Sequence, residues 1–185
     1  MKIIFIRHGK TAGNLEKRYI GTTDESLCDE GKSEIKGRAY PDVRRVICSP
    51  MKRCIETAAL IYPDIKPFIC NDLRECDFGD FENKSYSELN GNADYQRWID
   101  SGGEMPFPNG EGHADFTERC VNAFDKLICD DISEDTAFVV HGGTIMAILE
   151  KYAVPRGTFY DFQVMNGSGY ITEFDGKNLL IGEKL

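Results

Sequence analysis

Ile3-Ile4-Phe5-Ile6 running into Arg7-His8-Gly9 is the stretch that decides the fold. An apolar run without polar alternation suits a parallel strand covered on both faces. In parallel α/β sheets, ligands bind beyond the carboxyl ends of the strands. The run therefore delivers a guanidinium and an imidazole to the place where such proteins keep their chemistry. Taken alone, His8 reads equally well as a hydrogen-bonded loop histidine after a buried strand.

The same arrangement recurs three times. Arg45-Val46-Ile47-Cys48 leads into Ser49-Pro50-Met51-Lys52-Arg53. There Ser49 suits an N-cap and Pro50 a first helical residue, so Arg53 falls on the first turn of a helix. Pro67-Phe68-Ile69-Cys70 runs into Asn71-Asp72-Leu73-Arg74-Glu75 and places a carboxyl group past a third strand. Ala137-Phe138-Val139-Val140 ends in His141-Gly142-Gly143-Thr144, after which Ile145, Ile148 and Leu149 make a helical apolar face. If these strands are parallel neighbours, Arg7, His8, Arg53, Glu75 and His141 converge on one crevice.

Those five side chains suit a phosphoryl group. Its equatorial oxygens stay negative throughout transfer, so catalysis is mostly positioning and charge stabilisation, and guanidinium forks match that geometry better than ammonium groups do. A neutral imidazole can act as nucleophile and split the displacement into two steps, and flanking arginines favour the neutral form. The leaving oxygen needs a proton, for which Glu75 is the candidate. The same arginines would favour ionised Glu75, and the reading resolves the conflict by letting the incoming phosphate dianion offset them, with better turnover on the acidic side of neutral.

The ordered matches Arg7-His8-Gly9 with Thr11 and Asn14, Arg18-Tyr19-Ile20-Gly21 with Asp24 and Leu27, Gly31, Ser49-Pro50 with Arg53 and Thr57-Ala58, Leu73-Arg74-Glu75 with Phe78-Gly79 and Glu82, and His141-Gly142-Gly143 cover nearly the whole chain. On these residues the chain resembles the histidine phosphatase superfamily, in the branch of cofactor-dependent phosphoglycerate mutases, fructose-bisphosphatase domains and α-ribazole phosphatases. The resemblance implies an α/β three-layer sandwich, phosphoglycerate mutase-like, with a mostly parallel central sheet flanked by helices. It implies His8 as the phosphorylated nucleophile and Glu75 as proton donor. Arg7, Arg53 and His141 would bind the transferring group, Asn14 would add a hydrogen bond, and Thr11, Gly21 and Gly142 would complete the substrate-binding set. No metal and no other cofactor are implied. Lys10, Gly13 and Gly112 depart from the family pattern, where Glu, Trp and Ser are common, and these departures touch specificity rather than reaction type.

Mutases of this family are longer and carry an insertion rich in basic residues after the proton donor. Here the stretch from Cys76 to Gly103 is acidic and aromatic, with Tyr86, Tyr95 and Trp98 and few cations, chiefly Lys84 and Arg97. A phosphatase is favoured over a mutase, acting on a small phosphorylated metabolite whose aromatic or nucleoside-like leaving group stacks on that surface. The run from Tyr19 to Asp24 looks most like α-ribazole 5′-phosphate phosphatases of cobalamin assembly. Against this stands the plainer reading that Tyr86, Tyr95 and Trp98 only pack a small cap over the sheet. A cofactor-dependent phosphoglycerate mutase or a broad-specificity phosphatase and, more remotely, a non-catalytic phosphoprotein-binding regulator stay open as alternatives.

Length and continuity suit one domain over residues 1–185, with a cap-like insertion around 76–112. The net charge of −9 argues against a nucleic-acid surface. No stretch reads as a membrane span or signal peptide, so a cytoplasmic protein is expected, as monomer or homodimer. Arg7, Lys10, Lys17, Arg18, Lys52 and Arg53 are candidates for a local positive patch that draws an anion, the lysines reading otherwise as solvated surface. The seven cysteines show no zinc spacing and are expected as core thiols, although Cys54 and Cys76, beside Arg53 and Glu75, are candidates for oxidation that perturbs the site. Helices are expected over Ser33–Tyr40 and Ala114–Cys129, the second opened by His113 as a surface or cap residue. A hairpin is expected at Asp175-Gly176, closing one sheet edge.

Overall fold

A computed structural model describes residues 1–129 and 134–185. Strands β1 (Lys2–Arg7), β2 (Arg45–Cys48), β3 (Phe68–Ile69) and β4 (Thr136–Val140) are mutually parallel and stand side by side in the order β3-β2-β4-β1. The sheet continues through β6 (Gly169–Phe174), antiparallel to β1, and β7 (Leu179–Lys184), to β5 (Ala153–Val154) at the far edge. The neighbours assumed from the sequence are therefore real neighbours, and four strand ends meet on one side of the sheet.

Alternation along β1 sorts its side chains onto two cores. Ile3 and Phe5 join Phe138 and Val140 against α6 (His113–Cys129) and α7 (Gly142–Tyr152), where Phe116, Phe124, Ile145 and Ile148 fill the space. Ile4 and Ile6 face the other way, with Val46, Ala137 and Val139, onto Cys54 and Ala58 of α3 (Lys52–Ile61). Burial on both faces explains the unbroken apolar runs, and the result is a three-layer sandwich. The remaining helices are α1 (Ala12–Leu15), α2 (Asp29–Lys36), which packs on α3, and α4 (Tyr86–Leu89) and α5 (Ala93–Asp100) in the segment after Glu75.

Several boundaries depart from the sequence expectations. The second helix spans Asp29–Lys36 rather than Ser33–Tyr40, because Cys28 accepts from the Gly31 amide at its start, Asp29 and Glu30 occupy the first turn and Gly37 ends it. Helix α3 begins at Lys52 with Met51 at the cap position, so Ser49 and Pro50 lie in the preceding loop. The Asp175-Gly176 hairpin forms, with the Asp175 carboxylate accepting from the amides of Lys177 and Asn178, but β5 and not the hairpin makes the sheet edge. Among the described residues no helix is long and apolar enough to cross a membrane.

Candidate active site

His8 follows the last residue of β1, and its amide donates to the carbonyl of Val140 at 2.9 Å, which ties the end of β1 to the end of β4. The neighbouring Gly9 amide donates to Thr57 Oγ1 (3.0 Å) on α3, and Asn166 Nδ2 donates to the His8 carbonyl (3.1 Å). The imidazole is 3 % exposed. Its Nδ1 lies 2.7 Å from the Gly9 carbonyl oxygen. A carbonyl can only accept, so Nδ1 carries the proton, and in the neutral ring Nε2 is left with its lone pair. The ring stands edge-on to His141, with centroids 5.2 Å apart.

His141 directly precedes α7 and is fully buried. Its Nε2 sits 2.7 Å from Ser49 Oγ, and Cys54 Sγ lies 3.5 Å from the same nitrogen. Ser49 thus orients an imidazole instead of capping a helix, a partnership between residues far apart in sequence that capping preference alone does not reveal. Burial is the largest cause holding both histidines well below their ordinary pKa, followed for each by the charge of Arg53. Both rings are neutral at physiological pH.

The arginines approach differently. Arg53 is completely buried and donates to the carbonyls of Thr23 (2.7 Å), Gly21 (2.8 Å) and Ile20 (3.4 Å). Gly21 in turn donates its amide to Glu82 Oε1 (2.8 Å), so this glycine supports Arg53 through its carbonyl. A Cβ on Gly21 would stand 1.9 Å from the Cys76 carbonyl oxygen, a close approach only glycine permits. Arg7 donates Nη1 to the Val164 carbonyl (2.8 Å) and lies against Gly142 at the start of α7. The Nε atoms of both arginines are buried with no protein partner among the described residues, which leaves two donors free for a ligand. Thr11 caps α1, with its Oγ1 accepting from the Asn14 amide, and Asn14 Oδ1 accepts from the Thr11 amide and from Asn166 Nδ2.

Glu75 enters from beyond β3. Its carboxylate accepts from its neighbour's amide, Cys76 N (3.1 Å), and from Gly143 N (3.2 Å) on the first turn of α7. Burial raises its pKa and outweighs the two amides, Arg53 and Arg7, which all pull it down. Burial thus works in the same direction as an incoming phosphate dianion, both raising the affinity of Glu75 for a proton against the pull of the arginines. Gly143 packs so closely that a Cβ there would lie 2.4 Å from Glu75 Oε1 and 2.9 Å from the Phe116 ring. Gly143→Ala should therefore displace the carboxyl group and lower kcat/KM for alkyl phosphates by about 10²-fold, with a much smaller loss for nitrophenyl phosphate; equal loss on both substrates would contradict this.

The two histidines and Glu75 push stability with pH in opposite directions. A histidine whose native pKa is lowered binds fewer protons folded than unfolded, so stability falls as pH drops through about 6.5, at up to about 1.4 kcal/mol per pH unit for each ring. A carboxyl group whose native pKa is raised gives stability that is present at low pH and lost as pH rises. Two rings against one carboxyl predict a net fall in melting temperature from pH 7.5 to 5.5. A flat profile, or one unchanged by His141→Gln, would refute it.

Beside Glu75 opens a cavity of about 400 Å³ lined by Arg7, Gly142 and Gly143 at one end and by aromatic side chains elsewhere. Trp98 stacks on Phe107 at 4.9 Å and on Tyr95 at 6.1 Å, and Tyr19 packs on Phe78. Phe159, Tyr160 and Gln163, which carry no local motif that would single them out, make a second wall, and His113 lines the cavity against Phe159 rather than facing away from it. Tyr86 is exposed and outside this cluster. The expected positive surface patch is largely neutralised, since Lys10 pairs with Glu30 and Glu34, Arg18 with Glu16 and Glu88, and Lys52 with Asp24, leaving Lys17 exposed beside them. Positive charge is concentrated inside, at Arg7 and Arg53. Cys54 and Cys76 are buried, and burial pushes both thiols up in pKa, which disfavours the reactive thiolate.

Two neutral imidazoles, two guanidinium groups and a half-buried carboxyl group meet at the ends of parallel strands, an arrangement chemically suited to holding a phosphoryl group. The profile of the histidine phosphatase superfamily (branch 1) matches residues 3–182, and the chain belongs to that family. It is similar to an adenosylcobalamin/alpha-ribazole phosphatase of Salmonella typhimurium, 26 % identical over 90 % of this chain and 87 % of the relative. It is similar also to an acid phosphatase of Mycobacterium tuberculosis, 27 % identical over 82 % of this chain and 75 % of that one. The crystal structure of the alpha-ribazole phosphatase from Shigella flexneri shares the fold, with a TM-score of 0.88 at 22 % identity over 98 % of this chain and 95 % of that chain. The protein is a phosphatase, a hydrolase of phosphoric monoesters.

Proposed function

We propose that the protein hydrolyses the phosphomonoester of a small metabolite with a flat aromatic leaving group, by way of phosphorylated His8, and that α-ribazole 5′-phosphate is the substrate. The observation that carries the mechanism is the Nδ1–Gly9 hydrogen bond, which fixes the tautomer with a free lone pair on Nε2. Nε2 attacks phosphorus as the bond to the leaving oxygen breaks, and Glu75 gives that oxygen its proton. Water then attacks the phosphohistidine, Glu75 takes a proton back, and cleavage of the P–N bond returns the lone pair to Nε2. Arg7, Arg53 and neutral His141 hold the equatorial oxygens, with the free Nε donors of the arginines available to them. Asn14, Thr11 and Gly142 border the phosphate end, while Gly21 acts by holding Arg53.

The substrate reading rests on the cavity. Its walls offer aromatic faces and one cation, Arg7. Among the described residues the lining offers a second phosphate or a carboxylate no further Lys or Arg, which disfavours a mutase, whereas a benzimidazole or similar ring stacks readily. The similarity to a phosphatase named for α-ribazole supports the same choice. Phosphate release across α-ribazole 5′-phosphate, 3-phosphoglycerate, sugar phosphates and an aryl phosphate tests it. A preference of about a hundredfold in kcat/KM, about 2.7 kcal/mol, is expected for α-ribazole 5′-phosphate; a flat profile would instead indicate a broad-specificity phosphatase.

A further inference from the structure

Arg119, on the second turn of α6, has no place in the site described so far, yet all five of its N–H groups are used. Nε donates to Glu111 Oε1 (2.9 Å) and Nη2 to Glu111 Oε2 (2.7 Å), a two-pronged ion pair. Nη1 donates to the carbonyls of Asp72 (2.8 Å) and Arg74 (3.0 Å), and Nη2 to that of Glu75 (3.4 Å). Glu111 Oε2 also accepts from the Asp77 amide (3.3 Å), and the Glu111 amide donates to the Asp77 carbonyl (2.9 Å). The side chains of both partners are more than four-fifths buried, at 14 % and 17 % exposure. The backbone is thus gripped on both sides of Glu75, before it by the guanidinium and after it by the carboxylate.

We infer that Arg119 and Glu111 are positioning residues that set the reach of Glu75 toward the leaving oxygen. The inference rests on Glu75 being the proton donor. Glu75 sits in an irregular segment after a two-residue strand, where the sheet supplies little constraint. Its own carboxylate is tied only to the Cys76 and Gly143 amides. The clamp supplies the missing rigidity, and it adds little net charge because the two groups neutralise each other. It also anchors the loop that carries Phe107, since the Phe107 amide donates to the Glu111 carbonyl (3.3 Å), so one ion pair locates both the acid and a wall of the cavity. Lysine cannot replace the fork, having one point of attachment where five directed donors are used.

The test compares 4-nitrophenyl phosphate, whose leaving group needs little protonation, with 4-nitrobenzyl phosphate, which presents nearly the same ring but departs as an alcohol. Values of kcat/KM report the steps through phosphoenzyme formation. Arg119→Lys and Glu111→Gln should each lose about tenfold or more on the benzyl ester and less than about threefold on the phenyl ester. Glu75→Gln should show the same selectivity with a larger loss. If Glu75→Gln is unselective, the proton-donor reading falls. If it is selective while both clamp variants lose the two activities equally, or neither, the clamp inference alone is overturned. Glu111→Gln is isosteric and keeps the comparison decisive where Arg119→Lys does not fold.

Discussion

His8→Ala should abolish turnover, with kcat/KM for any phosphomonoester falling by at least about 10⁴-fold. The size follows from the lack of a second nucleophile in the right place. His141 is fully buried with Nε2 committed to Ser49, and the thiol of Cys54 is held protonated by burial. Arg7 and Arg53 would still bind phosphate, so product inhibition by inorganic phosphate should survive in the variant. The same substitution removes one of two rings that must stay neutral on folding, so it should roughly halve the acid-side slope of stability that the histidines produce. Residual hydrolysis within about a hundredfold of the native rate would mean that water is activated directly and that His8 serves another purpose.

Arg53→Met carries the second large effect, on activity and stability together. Its guanidinium is the cation nearest in influence to both histidines and is held by three carbonyls from the loop at Ile20–Thr23. Loss of a fixed cation at a transferring phosphoryl group costs about 10³-fold or more. Leaving buried carbonyls without their donor adds about 1–3 kcal/mol of destabilisation. That cost is partly offset because the charge of Arg53 opposes that of nearby Arg7, a repulsion the variant relieves. Arg53→Lys should recover part of the stability and little of the activity, since a point charge cannot serve the carbonyls and a phosphate at once. An Arg53→Met enzyme within tenfold of the native kcat/KM would refute the assignment.

The convergence of the candidate residues was legible because each follows an apolar run, directly or after a short loop, and parallel order brings the run ends together. The register of β1 on β4, with Arg7 opposite Val140, puts His8 and His141 one residue past the same line. What escaped the sequence is long-range and polar. Ser49 has the same local signature whether it caps a helix or orients an imidazole 92 positions away. Lys10, Arg18 and Lys52 look like free cations until their acidic partners are placed. Arg119 sits in a helix that the sequence marks only by its apolar stripe, and its grip on the Glu75 segment appears only when helix and loop are packed together. The weight of burial on Glu75 was hidden for the same reason, since charge neighbours can be guessed from sequence and depth cannot. The aromatic wall was half visible: Tyr95 and Trp98 lie in one acidic, aromatic stretch, while Phe159 and Tyr160 come from a turn some sixty residues later.

Trapping the phosphoenzyme tests the central claim most directly. Enzyme mixed with an excess of substrate, quenched in alkali and digested should yield an acid-labile phosphate on the peptide carrying His8, formed at a rate no slower than turnover and missing from His8→Ala. Phosphate found on another residue, or steady turnover with no phosphohistidine at any time after mixing while hydrolysis persists in His8→Ala, would contradict it.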